Sequence, residues 1–231
     1  MVREDVADVW TVALPPGDSF DGQAWALLSG DEQARAQRFH RTIDRHRYTS
    51  AHAALRVLLA LQLHSAPDEL RILPSASGKP HLEARPIRFN LSYAGTQAVV
   101  GISPTSEIGV DTEPIAGPPD YVGTARARFS RAEVDWIEEA VEPERLRRFC
   151  RLWAIREALV KATGQGLSLP MHEIDVEIVD GTPRLALDGP WWAHEAPVLD
   201  RYATAVVIER GVEARWHTTS WRELADLAQK R

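Results

Sequence analysis

The segment Ile108-Gly-Val-Asp-Thr-Glu113 puts two carboxylates at alternate positions. Alternate residues of a strand share a face, so Gly109, Asp111 and Glu113 point one way while Ile108, Val110 and Thr112 can enter a core. Two carboxylates roughly 7 Å apart on one strand face, beside a glycine that leaves room, suit a hard cation. Magnesium takes one or two carboxylates and fills its other positions with water and phosphate oxygens. A solvated strand end before Pro114 is the plainer explanation of the same residues.

A second group lies in Trp153-Ala-Ile-Arg-Glu-Ala-Leu-Val-Lys161, where Trp153, Glu157 and Lys161 are four apart and line one helical face. A carboxylate beside an ammonium can hold a metal or move a proton, and the ammonium neutralises phosphate. It is also an ordinary i,i+4 pair, with Gly164-Gln-Gly166 as a helix stop. Between Asp31 and Arg56, Arg35, Arg38, Arg41, Arg45, Arg47 and Arg56 face only Asp31, Glu32 and Asp44, and His40, His46 and His52 fall in the same region. That local excess of positive charge suits a polyanion, since arginine grips phosphate bidentately, although an exposed Arg-rich helix face is common. Ser77-Gly78-Lys79-Pro80 reads as a turn able to present Lys79. Asn90, Ser92 and Tyr93 of Phe89-Asn-Leu-Ser-Tyr93 can donate to a phosphate. Glu133 is a candidate base or ligand, yet its place in a Ser130-Arg-Ala-Glu133 capping box already gives it a structural task.

The elements that must position these residues follow from pattern. Asp8–Leu14 alternates as a strand. Ser29-Gly-Asp-Glu32 opens a helix, and a second covers about residues 44–63, with Ala51, Ala54, Leu55, Leu58 and Leu59 at helical spacing. Strands are expected near 88–92, 97–103 and 107–113. After the Pro-rich stretch 114–119 the order returns: a capping box at Ser130, a long helix over 144–163 stopped by Gly164, then strands near 173–179, 184–187 and 203–209. This repeat of about 110 residues predicts an α+β fold of two similar lobes. Each lobe has helices packed on a small, largely antiparallel sheet, with the active site in the cleft between them. The division is expected after residue 113, into lobes 1–113 and 114–231.

Composition narrows the class. The chain has 231 residues and a formal charge of −6, with 27 basic side chains of which only Lys79, Lys161 and Lys230 are lysine. An acidic balance argues against a nucleic-acid binder. The single cysteine, Cys150, rules out a disulfide framework or a cysteine zinc site. The most apolar helical stretch, Ala53–Leu63, carries Arg56 and is too short to span a bilayer. The charged start Met1–Asp8 does not read as a signal peptide, so a cytoplasmic protein is expected.

Read in order, these pieces resemble the 4′-phosphopantetheinyl transferases of the Sfp type, over roughly Leu27 to Leu169. The most specific parts are Gly109–Glu113 (G-[IV]-D-x-E) and Trp153–Leu167 (W-x-x-[KR]-E-A-x-x-K-x-x-G-x-G-L). Ser-Gly-Lys-Pro, Phe-Asn-Leu-Ser, Arg-Phe-His and Asp-Arg-His-Arg47 support it. The resemblance implies transfer of the phosphopantetheine arm of coenzyme A to a serine of an apo acyl or peptidyl carrier protein of fatty acid, polyketide or nonribosomal peptide synthesis, with adenosine 3′,5′-bisphosphate leaving. It implies that Asp111, Glu113 and Glu157 hold Mg²⁺, with Mn²⁺ as a substitute. Glu157, Glu133 or a metal-bound water takes the serine proton, and Lys161 serves the leaving phosphate. It further implies that Arg35 and Arg47 meet the 3′-phosphate, that Gly78-Lys79-Pro80 lies along the adenine and its phosphates, and that Ser92 and Tyr93 face phosphate. Tyr93 stands where the family usually has a histidine, Glu32 where relatives often carry a base, and Arg156 where lysine is common. A monomer is expected. Arg126, Arg128 and Arg131 are candidates for docking an acidic carrier. The competing readings are a non-catalytic module that binds coenzyme A or a carrier protein, and another Mg²⁺-dependent phosphotransferase or nuclease.

Overall fold

The computed structural model describes residues 6–17, 21–83, 87–166, 169, 171–185, 190–196 and 201–230. Strand β1 (Val6–Ala13) is followed by the short helices α1 (Gly22–Leu27) and α2 (Gly30–Gln37) and by the long α3 (Thr42–Leu63). A small hairpin of β2 (Ile72–Pro74) and β3 (Pro80–Leu82) leads into β4 (Arg88–Ala94), β5 (Gln97–Ser103) and β6 (Ile108–Pro114). Then come α4 (Tyr121–Arg128), α5 (Arg131–Glu139) and the long α6 (Glu144–Thr163). The chain continues through β7 (Val176–Val179), β8 (Thr182–Leu185), β9 (Trp191–Glu195), β10 (Tyr202–Glu209) and β11 (Glu213–Ser220) to α7 (Trp221–Gln229). Leu167 and Leu187, which belong to a motif and a strand expected from the sequence, lie outside the described residues.

Two sheets form the centre. One has the strand order β11-β1-β5-β4 and the other β6-β10-β9. The period-2 pattern sorts each strand's side chains to opposite faces. Val12, Val100 and Ile102 meet Leu55, Leu58 and Leu59 of α3. Ala203, Ala205 and Val207 meet Ile155, Ala158 and Leu159 of α6. Between the sheets, Val9 and Val99 pack on Ile108, Val110, Val206 and Ile208. The result is an α+β arrangement in helix–sheet–sheet–helix order, with one long helix on each outer face.

The expected repeat has a side-chain counterpart. Ser29 and Glu32 form a capping box on α2, and Ser130 and Glu133 form one on α5. In each half the capping glutamate reaches a buried arginine of the following long helix. Glu32 pairs with Arg56 at 2.6 Å, and Glu133 pairs with Arg156 at 2.6 Å. The long helices also end alike, at residues in the left-handed conformation, His64 at φ 52° and Gly164 at φ 66°.

Strand pairing departs from a division after residue 113. β6 lies almost wholly before that point, yet it pairs antiparallel with β10. β11, which no local pattern announced, returns to the other sheet and runs parallel to β1 along its whole length. α7 follows it and buries Trp221 and Leu224 against the α3 core. Pairing with β11 satisfies the backbone groups on that side of β1, and β11 itself becomes the edge of the sheet.

Candidate active site

Gly109 determines how β6 and α6 meet. A Cβ at this position would lie 2.0 Å from the Ala158 carbonyl oxygen and 2.3 Å from the Ala162 nitrogen. With no side chain on the strand and alanines on the helix, the two backbones touch. Asp111 and Glu113, on the same strand face as Gly109, are thereby brought to Glu157 and Lys161 on α6. The strand and helix periods read from the sequence converge here as expected.

Lys161 Nζ donates to Asp111 Oδ1 at 2.6 Å and to Ser92 Oγ at 3.0 Å. The Ser92 hydroxyl in turn donates to Asp111 Oδ1 at 2.9 Å. Asp111 is 3% exposed, and its Oδ2 is buried with no hydrogen-bond partner. Burial, then the neighbouring charges of Asp111 and Glu157, push the Glu113 carboxyl up to about 7 against the pull of Lys161. Glu157 is raised as well, by burial first and then by Asp111, with Lys161 again opposing. Three carboxylates therefore crowd around one ammonium, and the surroundings disfavour the charged forms of Glu113 and Glu157. Among the described residues, no three such side chains are drawn into a ready ligating geometry, and Lys161 takes one side of Asp111. The orphaned Asp111 Oδ2 and the mutual repulsion of Glu113 and Glu157 nevertheless fit a divalent cation, which would satisfy the first and relieve the second. Beside Glu113 opens a cavity of about 280 Å³ walled by Pro114, Phe149, Cys150 and Trp153. Burial pushes the Cys150 thiol up to about 11, so it is a wall rather than a nucleophile.

Other candidates are placed differently from the sequence reading. Glu133 is fully buried, with its carboxylate 2.6 and 2.7 Å from Arg156 and 2.7 Å from the Ser130 nitrogen. A proton acceptor must come within hydrogen-bond reach of the group it serves, and Glu133 is spent on anchoring α6 to α5. Arg156, also fully buried, adds bonds to the carbonyls of Met171 and Ile174. Asn90 is buried too, and its Oδ1 accepts from the Val110 nitrogen, so it stitches β4 to β6 instead of facing a phosphate. Of the docking candidates, all three exposed, Arg126 is paired with Glu138 and Arg131 with Asp135, while no such pair holds Arg128 among the described residues.

The basic region is only partly available to a ligand. Arg56 is withdrawn into the core by Glu32 and the carbonyls of Pro67 and Leu70. Glu32 also meets His52 at 3.3 Å. Arg35 is exposed and lies over the Tyr48 ring. Arg47 is half-buried and 3.5 Å from Asp44. Burial raises the Tyr93 hydroxyl, which feels both Arg35 and Asp44 and thus shares their neighbourhood. Tyr93 therefore stays protonated as a neutral donor. The turn at Gly78 forms as expected, with φ at 86°. Its Lys79, however, points inward, donating to Glu107 at 2.6 Å and to the Ala162 carbonyl at 2.9 Å. Glu107 was not singled out in the sequence. Its only signal was opposite charge immediately ahead of the Gly109 strand.

Comparison with known proteins fits this geometry. A Synechocystis protein, slr0495, provisionally named a 4′-phosphopantetheinyl transferase, is 37% identical over 152 residues, which are 64% of this chain and 62% of that protein. The 4′-phosphopantetheinyl transferase HetI of Nostoc is 28% identical over 221 residues, 94% of this chain and 92% of its own. The 4′-phosphopantetheinyl transferase Sfp of Bacillus subtilis is 25% identical over 154 residues, 66% of this chain and 67% of its own. A family model matches residues 107–207, which begin at Glu107, take in the β6 carboxylates and the whole of α6, and end in β10. That model describes the 4′-phosphopantetheinyl transferase superfamily, and its match takes in less than half of this chain.

Proposed function

We propose that this protein transfers the 4′-phosphopantetheine arm of coenzyme A to a serine hydroxyl of an apo acyl or peptidyl carrier protein, releasing adenosine 3′,5′-bisphosphate. The observation that carries the reading is the buried Asp111, bonded to Lys161 and Ser92 and crowded by Glu113 and Glu157. The named activity of the relatives supports it.

Asp111, Glu113 and Glu157 would hold the Mg²⁺, or Mn²⁺ in its place. When bound, the ion supplies charge neutralisation and polarisation at the pyrophosphate. The chain's own residues do the rest by position and charge. Lys161 sets its ammonium against the phosphate side that departs and, unlike an arginine, can give up a proton there. Ser92 offers a hydroxyl next to it. Glu157 has no side-chain hydrogen bond among the described residues, so its lone pairs are open to the serine proton. Arg35 and Arg47, with the neutral hydroxyl of Tyr93, meet the 3′-phosphate, and the backbone of Gly78-Lys79-Pro80 runs along the adenine. We further read the protein as a monomer, since one chain supplies both sheets and both long helices, and place it in the cytoplasm on the sequence reading alone.

The test is release of adenosine 3′,5′-bisphosphate in step with holo-carrier formation, in the presence and absence of Mg²⁺. Equal amounts of the two products, formed only with the metal, support the reading. No release across acyl and peptidyl carriers rejects it.

A further inference from the structure

We propose that Lys79 is a positioning residue that staples β6 to α6, the two elements carrying the charged cluster, and that it does not grip a phosphate of the substrate. The last turn of a helix leaves carbonyls without intrahelical partners, and a lysine near that end can satisfy them. Lys79 does so at Ala162, the neighbour of Lys161, with its Nζ 2.9 Å from the carbonyl oxygen. The same Nζ lies 2.6 Å from Glu107, the residue immediately before β6. Glu107 is held from its other side by Arg88 at 2.8 Å. The lysine stem covers the helix stop: a Cβ at Gly164 would meet Lys79 Cδ at 3.5 Å and Ser77 Oγ at 3.6 Å.

One side chain thus joins the start of the strand bearing Asp111 and Glu113 to the end of the helix bearing Glu157 and Lys161. Because Gly109 lets the two backbones touch, a slide of α6 along its axis would change the distances from Asp111 to both helix residues together. Lys79 restrains that slide at the open end of the contact. Its side chain is only 15% exposed and already sits against a carboxylate, so it adds little charge for an incoming phosphate.

The kinetic half of the test rests on the transferase reading; the other half does not. Replacing Lys79 by methionine (Lys79→Met) should lower kcat by about 10- to 100-fold, the effect of misplacing catalytic groups by an ångström or less, while the KM for coenzyme A changes by less than about twofold. Lys79→Arg, which can reach both partners, should restore most of kcat. Glu107→Gln should lower kcat in the same direction and serves as the test variant if Lys79→Met does not fold. A raised KM for coenzyme A with unchanged kcat would show direct ligand contact and overturn the proposal, as would unchanged values of both.

Independently of activity, the scarcity of lysine allows a clean readout. Lys79, Lys161 and Lys230 are the only lysines in the chain, so amine labelling followed by peptide mass spectrometry reports each separately. Loss of the staple, in Lys79→Met or Glu107→Gln, should speed labelling of Lys161 several-fold relative to Lys230. Unchanged Lys161 labelling refutes the staple. If the wild type modifies no carrier, the transferase reading fails and this labelling alone decides the inference.

Discussion

Replacing Gly109 by alanine tests the contact that assembles the site. The added Cβ would stand 2.0 Å from the Ala158 carbonyl oxygen and 2.3 Å from the Ala162 nitrogen, both of them backbone atoms of α6. No rotamer can relieve such a clash, so the helix itself must retreat by about 1 Å or more to regain van der Waals distance. Overpacking of this kind costs about 1–3 kcal/mol, and a rigid backbone neighbour places Gly109→Ala at the upper end or above it. At about 2–4 °C per kcal/mol for a chain of this size, Tm should fall by roughly 5–10 °C. The retreat also carries Glu157 and Lys161 away from Asp111, so transfer measured well below Tm should drop by about 100-fold. Gly30→Ala is the control: a Cβ there meets nothing within 4 Å. It should stay within about 0.5 kcal/mol of wild type. Thermal unfolding by circular dichroism and a carrier-loading assay read the two effects. A Gly109→Ala variant with wild-type Tm and rate would refute the close β6–α6 contact and the positioning built on it.

Asp111→Asn and Glu157→Ala should each abolish transfer, and wild-type turnover in either sinks the site assignment. Glu157→Ala should leave Tm near or above the wild-type value because it relieves repulsion among crowded carboxylates, whereas Asp111→Asn gives up the ion pair with Lys161 and should lower Tm. Glu133→Gln breaks a fully buried ion pair and should cost about 3–5 kcal/mol in denaturant unfolding. Its kcat should stay near wild type under conditions where the variant is folded, and a selective loss of kcat without loss of stability would restore Glu133 as a catalytic group. Burial opposes ionisation of Glu32, but His52, Arg56 and the Ser29 nitrogen together bring its carboxyl down to about 2. Because that value lies below the ordinary 4.5, its contribution to stability is complete above about pH 4.5 and is lost as the pH falls toward 2. The stability gap between wild type and Glu32→Gln, followed by chemical denaturation, should therefore narrow across that window; a constant gap contradicts the ion pair.

Local signals carried much of this architecture, and their reach explains where reading stopped. Two S-x-x-E boxes marked the starts of α2 and α5, and Gly164 marked the end of α6, because capping chemistry is written within four residues; a third box, Ser220 with Glu223, opens α7 and went unread. The alternation in β6 and the four-residue spacing in α6 correctly assigned Asp111, Glu113, Glu157 and Lys161 to faces. What turned those faces toward each other was Gly109, whose lack of a side chain matters only once a helix lies against it. β11 was missed because its partner β1 is about two hundred residues away, and nothing in Glu213–Ser220 names that partner. The task of Glu133 was legible only in part: its capping box was local, while the arginine that absorbs its carboxylate lies on another helix. Lys79 shows the same limit. A Gly-Lys-Pro turn reads as a ligand-presenting loop, and only the fold reveals the helix end beneath it.

The account is tested most directly by the intact mass of an apo carrier protein incubated with this protein, coenzyme A and Mg²⁺. It predicts a gain of one phosphopantetheine on the carrier serine, absent when Mg²⁺ is chelated and absent with Asp111→Asn. A carrier of unchanged mass across acyl and peptidyl types, with folded protein and metal present, would contradict it.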